Sequence, residues 1–209
     1  MTIESITLEG QYVRLEPLTE SHHAGMCRVS LDPELWRLIP YRMTTPEEVM
    51  VYIRSRQAAL AAGDELGFAT VERTSGLVVG STRFLNMDVA NRRVEIGGTW
   101  IAKPWQRTAI NTEAKYLMLR HAFETWQCIR VELKTDALNR QSRDAILRIG
   151  ATEEGTLRQH MVTWSGRVRD SVYFSILDSE WPEVKAALVK KLECGEQRAA
   201  PATPEATPP

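Results

Sequence analysis

VEIGGTWIAKPWQRTAINTEAKYLMLRHAFE, Val94 to Glu124, places a strand, a loop and a helix in immediate succession. Arg93 to Ile101 is rich in strand formers, and Gly97-Gly98 within it suits a β-bulge or the close approach of a ligand. Ala114, Leu117, Met118, His121 and Ala122 recur at helical spacing, which predicts a helix over Asn111 to Thr125. The alternation of Arg130 to Thr135 then reads as a second strand, so the stretch is the core of a βαβ crossover.

Upstream, Tyr12 to Pro17 alternates as a strand, and Thr19 offers a cap for a helix through His22, Met26 and Val29. Asp32 to Tyr41 reads as a short helix plus loop. Thr45-Pro46-Glu47-Glu48 combines an N-cap, a proline at the first helical position and early acids, predicting a helix that stops at Gly63. Leu66 to Glu72 and Leu77 to Asn86 form a hairpin about Arg73-Thr74-Ser75-Gly76.

Downstream, Asn139 to Ile149 is a helix ended by Gly150, and two strands, Thr152 to Val162 and Arg169 to Leu177, flank Ser165-Gly166. Glu180 to Leu192 is a final amphipathic helix. The order gives an α+β fold with a mixed, mostly antiparallel sheet of about seven strands flanked by helices, in one domain over residues 1–192. Residues 193–209, rich in Pro, Ala and Thr, read as a disordered tail.

A formal net charge of −1 carries no basic field of the kind nucleic acid attracts. Neither a signal sequence nor an apolar run of about 18 residues is present, so a cytoplasmic protein without a membrane partner is expected. Cys27, Cys128 and Cys194 read as free thiols. His22, His23 and Cys27 lack a second ligand cluster, and no metal is expected there.

The quoted stretch, together with TDALNRQSRDAILRIGATEEGTLR from Thr135, resembles the GNAT superfamily of acetyl-CoA-dependent N-acetyltransferases and most closely its RimJ/RimL-like branch. The resemblance spans roughly residues 8 to 180 and implies the GNAT fold. In that family a loop (Q/R)xxGx(G/A) holds the pyrophosphate of CoA on backbone amides at a helix N-terminus. Here Gln106, Arg107, Thr108, Ala109, Ile110 and Asn111 match it, with Ala109 in place of glycine. An unsatisfied first helical turn attracts an anion through its N–H groups, so the site needs glycine only where φ is positive. The resemblance assigns Thr99, Trp100 and Ile101 to the strand along which the pantetheine arm and the acyl carbonyl lie.

It also implies direct transfer to a primary amine, with Glu95, eleven residues before Gln106, as general base and Ser142 of Asn139-Arg140-Gln141-Ser142 as the acid that meets the departing thiolate. Asn139 belongs with the cofactor residues. Bland roles stand beside these: Glu95 as an acid paired with Arg83 or Arg93, and Ser142 as a helix cap. Trp36, Tyr41 and Arg42 fall where the family's loop covers the acceptor, or they simply pack. RimL-like enzymes acting on a ribosomal protein carry a glutamate where this chain has Met161; His160 beside it is either a replacement base or structural. Arg158, Arg167 and Arg169 line the cleft or a dimer edge, or are solvated, and Asp170 is expected to be structural.

The expected function is an N-acetyltransferase using acetyl-CoA as cosubstrate, on a small-molecule amine or a protein N-terminus, with a homodimer in keeping with the branch. A CoA-binding module without catalysis, which Ala109 and Met161 favour, and a transferase of longer acyl groups are the competing readings.

Overall fold

The computed structural model describes residues 4–193. Cys194 and the tail expectation from residue 194 onward lie outside them. The chain forms one eight-stranded sheet in the order β1-β2-β3-β4-β5-β6-β8-β7. Its strands are β1 (Leu8–Glu9), β2 (Val13–Pro17), β3 (Leu66–Glu72), β4 (Val78–Asp88), β5 (Arg93–Ile101), β6 (Arg130–Asp136), β7 (Thr152–Val162) and β8 (Val168–Leu177). The strand beyond the expected seven is β1, two residues long and paired antiparallel with β2. Every neighbouring pair is antiparallel except β5 and β6.

Among the described residues five α-helices flank the sheet: α1 (His23–Ser30), α2 (Pro46–Ala62), α3 (Ala109–Arg120), α4 (Arg140–Arg148) and α5 (Trp181–Glu193). Met26, Val49, Tyr52 and Ile53 of α1 and α2 bury one core with Val71, Val78 and Trp100. Leu117 and Met118 of α3, Ile146 of α4 and Val184 and Leu188 of α5 bury the other with Phe68, Phe84, Val131 and Phe174. Apolar burial at roughly 25 cal/mol per Å² fixes these helices in place.

Local chemistry sets the ends. Thr45 accepts from the Glu48 amide, and Gly63 closes α2 in the left-handed conformation (φ 76°), as its sequence predicts. The helix expected over Asn111 to Thr125 starts at Ala109 and passes into a π-helical turn over His121–Thr125. That wider turn seats His121 and Trp126 edge to face at 4.6 Å, with Trp126 also against Phe84.

Two irregularities in β4 and β5 shape the middle of the sheet. The β4–β5 register shifts between Ser81/Arg83 and again between Leu85/Asp88. The first shift sets Gly98 and Thr99 opposite Thr82, one residue beyond the expected Gly97-Gly98, with Gly98 at φ 57°; the second puts Asn86 at φ 50°. β5 and β6 pair in parallel only through Glu95↔Glu132. Beyond it β5 stays with β4 as far as Ile101, while β6 stays with β8 as far as Asp136, so the two strands part.

Candidate active site

The wedge between β5 and β6 runs toward the N-terminus of α3. Thr108 caps that helix: its extended backbone (φ −109°, ψ −178°) turns the hydroxyl to donate to Trp105 O at 2.7 Å and to accept from the Ile110 amide at 3.4 Å. Ala109 is the first helical residue, and the left-handed residue of the loop is Arg107 (φ 61°). An alanine methyl is therefore unstrained at position 109, whereas the left-handed backbone at Arg107 costs about 1–2 kcal/mol.

The loop is tied down by Gln106, whose amide donates to Ile101 O at 2.8 Å and accepts from Gln141 of α4 at 3.0 Å. In the first turn, Asn111 Oδ1 is buried without a partner among the described residues. Arg148 reaches the same turn through Thr112 Oγ1 at 3.4 Å, and Arg107 is exposed beside it. Unpaired amides, the positive end of the helix and two cations fit a polyphosphate. Arg148 escaped the sequence reading because only the tertiary fold brings α4 to α3.

Glu95 sits where the wedge opens. Its side chain is 2% exposed, and Oε2 accepts from Asn86 Nδ2 at 2.8 Å and Lys134 Nζ at 3.0 Å. Oε1 has no donor among the described residues and lies beside Gly97, 3.0 Å from where a Cβ would stand. Pairing with Arg83 or Arg93, the bland sequence reading, does not occur: Arg93 bonds Asp88 and Glu132, and Arg83 pairs with Glu65. One oxygen is thus held by an amide and a cation while the other is free to take a proton.

The Gly97-Gly98 pair follows from crowding as well as backbone angle. A Cβ on Gly98 would stand 2.9 Å from Cζ and Nε of Arg83, so the pair is pressed from both sides. Tyr41 donates to Gly98 O at 3.1 Å, and burial pushes its phenol well above its ordinary value, keeping it a donor.

Thr99, Trp100 and Ile101 point their side chains away from the wedge. Thr99 Oγ1 bonds Lys115 Nζ at 2.6 Å and Thr82 at 2.8 Å, Trp100 packs edge-on against Trp36, and Ile101 is in the core. What they offer the wedge is backbone. At the start of α4, Asn139 accepts from the Ser142 amide at 3.0 Å, which makes Asn139 the cap and leaves the half-buried Ser142 hydroxyl without a partner among the described residues.

The acceptor-loop expectation divides. Tyr41 and Arg42 line a cleft of about 400 Å³ with Tyr52, Arg56 and Arg83. Trp36 does not line it: its indole is fully buried, donates to Ser30 O at 2.7 Å and supports the Tyr41 ring at 5.7 Å. His160 is re-aimed by a register shift between Leu157 and Met161, with Gln159 at φ 50° and its amide on Asp170. Its ring meets Ser171 Oγ at 3.0 Å and the Tyr173 edge, and burial with Lys134 and Arg169 nearby lowers its pKa. Arg169 is buried against Asp136, which the half-buried Arg167 also bonds, while Arg158 is exposed. His22 and His23 are spent on Thr19, Glu16 and Pro46.

Residues 13–152 match the family model described as "Acetyltransferase (GNAT) domain". The chain is 34% identical over 142 residues to the Bacillus subtilis (strain 168) protein named "Putative ribosomal N-acetyltransferase YdaF", covering 68% of this chain and 74% of that one. A GCN5-related N-acetyltransferase from Brucella melitensis superposes with a TM-score of 0.86 at 32% identity, over 94% of this chain and 92% of the other. Mycobacterium smegmatis RimJ in complex with CoA-disulfide shares the fold, with a TM-score of 0.78 at 24% identity over 91% and 97% of the two chains. The parted strands, the glycine bulge and these matches lead to one conclusion: the chain belongs to the GNAT family and is an N-acetyltransferase.

Proposed function

We propose that the protein transfers the acetyl group of acetyl-CoA directly to a primary amine, in a ternary complex built around the wedge between β5 and β6. The observation that carries this reading is the end of the β5–β6 ladder at Glu95, with α3 beginning eight residues after β5 closes at Ile101. Acetyl-CoA supplies an activated acyl carbon and a thiolate leaving group. The amides of the first turn of α3, with Arg107 and Arg148, hold its phosphates. The β6-facing backbone of Thr99 to Ile101 supports the pantetheine arm as an added strand would and stabilises charge developing on the acyl oxygen.

Glu95 Oε1 accepts the proton from the attacking amine, directly or through a water. Asn86 and Lys134 hold the carboxylate on its other oxygen. The Ser142 hydroxyl, free of the capping task that Asn139 performs, donates toward the thiolate. Each proton transfer is worth about 10²- to 10⁴-fold. The acceptor is a small amine or a polypeptide N-terminus, and the word ribosomal in the name of the B. subtilis relative supports the latter.

A thermal-shift titration with acetyl-CoA, followed by thiol release over an amine and peptide panel, tests the reading. Stabilisation is expected with acetyl-CoA, and Glu95→Gln and Ser142→Ala each lower kcat about 10²-fold while the acetyl-CoA shift persists. No stabilisation at millimolar acetyl-CoA, or unchanged turnover in both variants, overturns it.

A further inference from the structure

Arg83 is placed like a binding residue and has no part in the acetyl-transfer chemistry. It stands on β4 opposite Gly97, with its side chain 13% exposed at the cleft lined by Tyr41, Tyr52 and Arg56. Its guanidinium lies 5.8 Å from the centre of the Tyr41 ring, a cation–π distance. Its nearest carboxylate is Glu65, at 3.5 Å from Nε, and the geometry there is an ion pair without a hydrogen bond: Nε is buried and unpartnered. The other polar group beside the guanidinium is the Tyr52 phenol, a neutral partner. The Nη donors of the fork, on the cleft side, are the ones open to a ligand.

Glu65 does not neutralise the floor, because Arg56 shares it. Arg56 Nη1 bonds Glu65 Oε2, the same oxygen that faces Arg83. Two guanidiniums therefore stand against the one carboxylate of Glu65 at the floor, while at the rim Arg42 pairs with Glu48 and the exposed Glu47 faces solvent. The Gly97-Gly98 pair separates this surplus cation from the carboxylate of Glu95, with Glu95 against the first glycine and Arg83 against the second. An amine delivered to Glu95 Oε1 thus has a guanidinium one residue along the strand.

We propose that the cleft selects acceptors carrying a carboxylate a few bonds from the nucleophilic amine, and that Arg83 recognises that carboxylate. The proposal rests on the acetyl-transfer reading for the location of the amine. Bidentate Arg–carboxylate pairing supplies geometry as well as attraction, and the walls of Tyr41 and Tyr52 shield it from water. The shared chemistry has two sources: the α-carboxylate of a free amino acid, or an acidic side chain at a polypeptide N-terminus.

Calorimetric binding to the full chain distinguishes them without requiring turnover. One pair is the C-terminally amidated tripeptides Glu-Ala-Ala and Gln-Ala-Ala; the other is alanine and alaninamide. In at least one pair the carboxylate member is expected to bind about tenfold more tightly or better, equivalent to about 1.4 kcal/mol. That ratio should collapse to near one in Arg83→Met and return in part in Arg83→Lys, whereas a merely structural role would weaken both members equally. Ratios near one in both pairs for the wild type, no detectable binding of either carboxylate member at millimolar concentration, or a preference that survives Arg83→Met would overturn the proposal. The wild-type ratios decide it even if a variant fails to fold. Thiol release, measured separately, reports on acetyl transfer, so loss of that reading is told apart from loss of this one.

Discussion

Lys115 shows how far a residue's chemistry departs from its appearance in sequence, where it reads as one more charge on an amphipathic helix. Its ammonium is buried in α3 against Thr82 and Thr99, with no carboxylate among its hydrogen-bond partners, and burial lowers its pKa to about 7. The folded value lies below the ordinary 10.5. Between those values the unfolded chain holds a proton that the folded chain has released, so stability rises with pH from about 7 to about 10.5, by at most about 1.4 kcal/mol per pH unit. Below pH 7 this part of the stability is absent. Lys115→Met should remove the slope and be the more stable protein at pH 7 by on the order of 3 kcal/mol, because Thr82 and Thr99 retain their mutual bond. Urea unfolding of both proteins across pH 6 to 10 measures the difference; parallel pH curves would show that burial does not depress the lysine's pKa.

Among the elements, α3 does two jobs, and only one was legible in the sequence. The apolar spacing marked the helix, and the alanine at position 109 is unstrained because α3 begins there while Arg107 takes the left-handed turn. Glu113 was opaque. Its carboxylate accepts from the amides of Gln11, Tyr12 and Val13 at 2.6–2.7 Å, closing the β1–β2 turn 100 residues away in sequence. Gly10 lets it in, since a Cβ there would stand 2.3 Å from the carboxyl carbon. No periodicity reports such a contact, because it depends on where two distant elements meet. Glu113→Ala strands these amides, and each buried donor left unpaired costs about 1–3 kcal/mol; a loss of about 3 kcal/mol by chemical denaturation is expected. A change below about 0.5 kcal/mol would mean that water replaces the carboxylate.

At the scale of the whole molecule, the sequence yielded the order of elements and the crossover, while the support of the cleft came from a contact between residues 36–42 and the last hairpin. The turn between β7 and β8 folds back onto the loop after Trp36. Trp164 donates its indole N–H to Trp36 O at 3.1 Å and its amide to Pro40 O at 3.2 Å, and Arg42 stacks on its ring at 5.1 Å. Trp164 nonetheless stays 44% exposed, so its role is to hold that loop rather than to fill a core. The loop carries Tyr41, which bonds Gly98 O at the bulge between Glu95 and Arg83. A residue on the last hairpin thereby holds the cleft proposed for the acceptor without bonding to the first turn of α3. Trp164→Ala removes one hydrogen bond and one cation–π contact, together about 1–1.5 kcal/mol, and the acceptor KM should rise roughly five- to tenfold. The KM for acetyl-CoA should stay within about twofold, because the proposed phosphate site is the first turn of α3, which Trp164 does not bond. Equal rises in both constants would instead mean that the hairpin supports the sheet as a whole, and no rise in either would mean that the loop keeps its position without it.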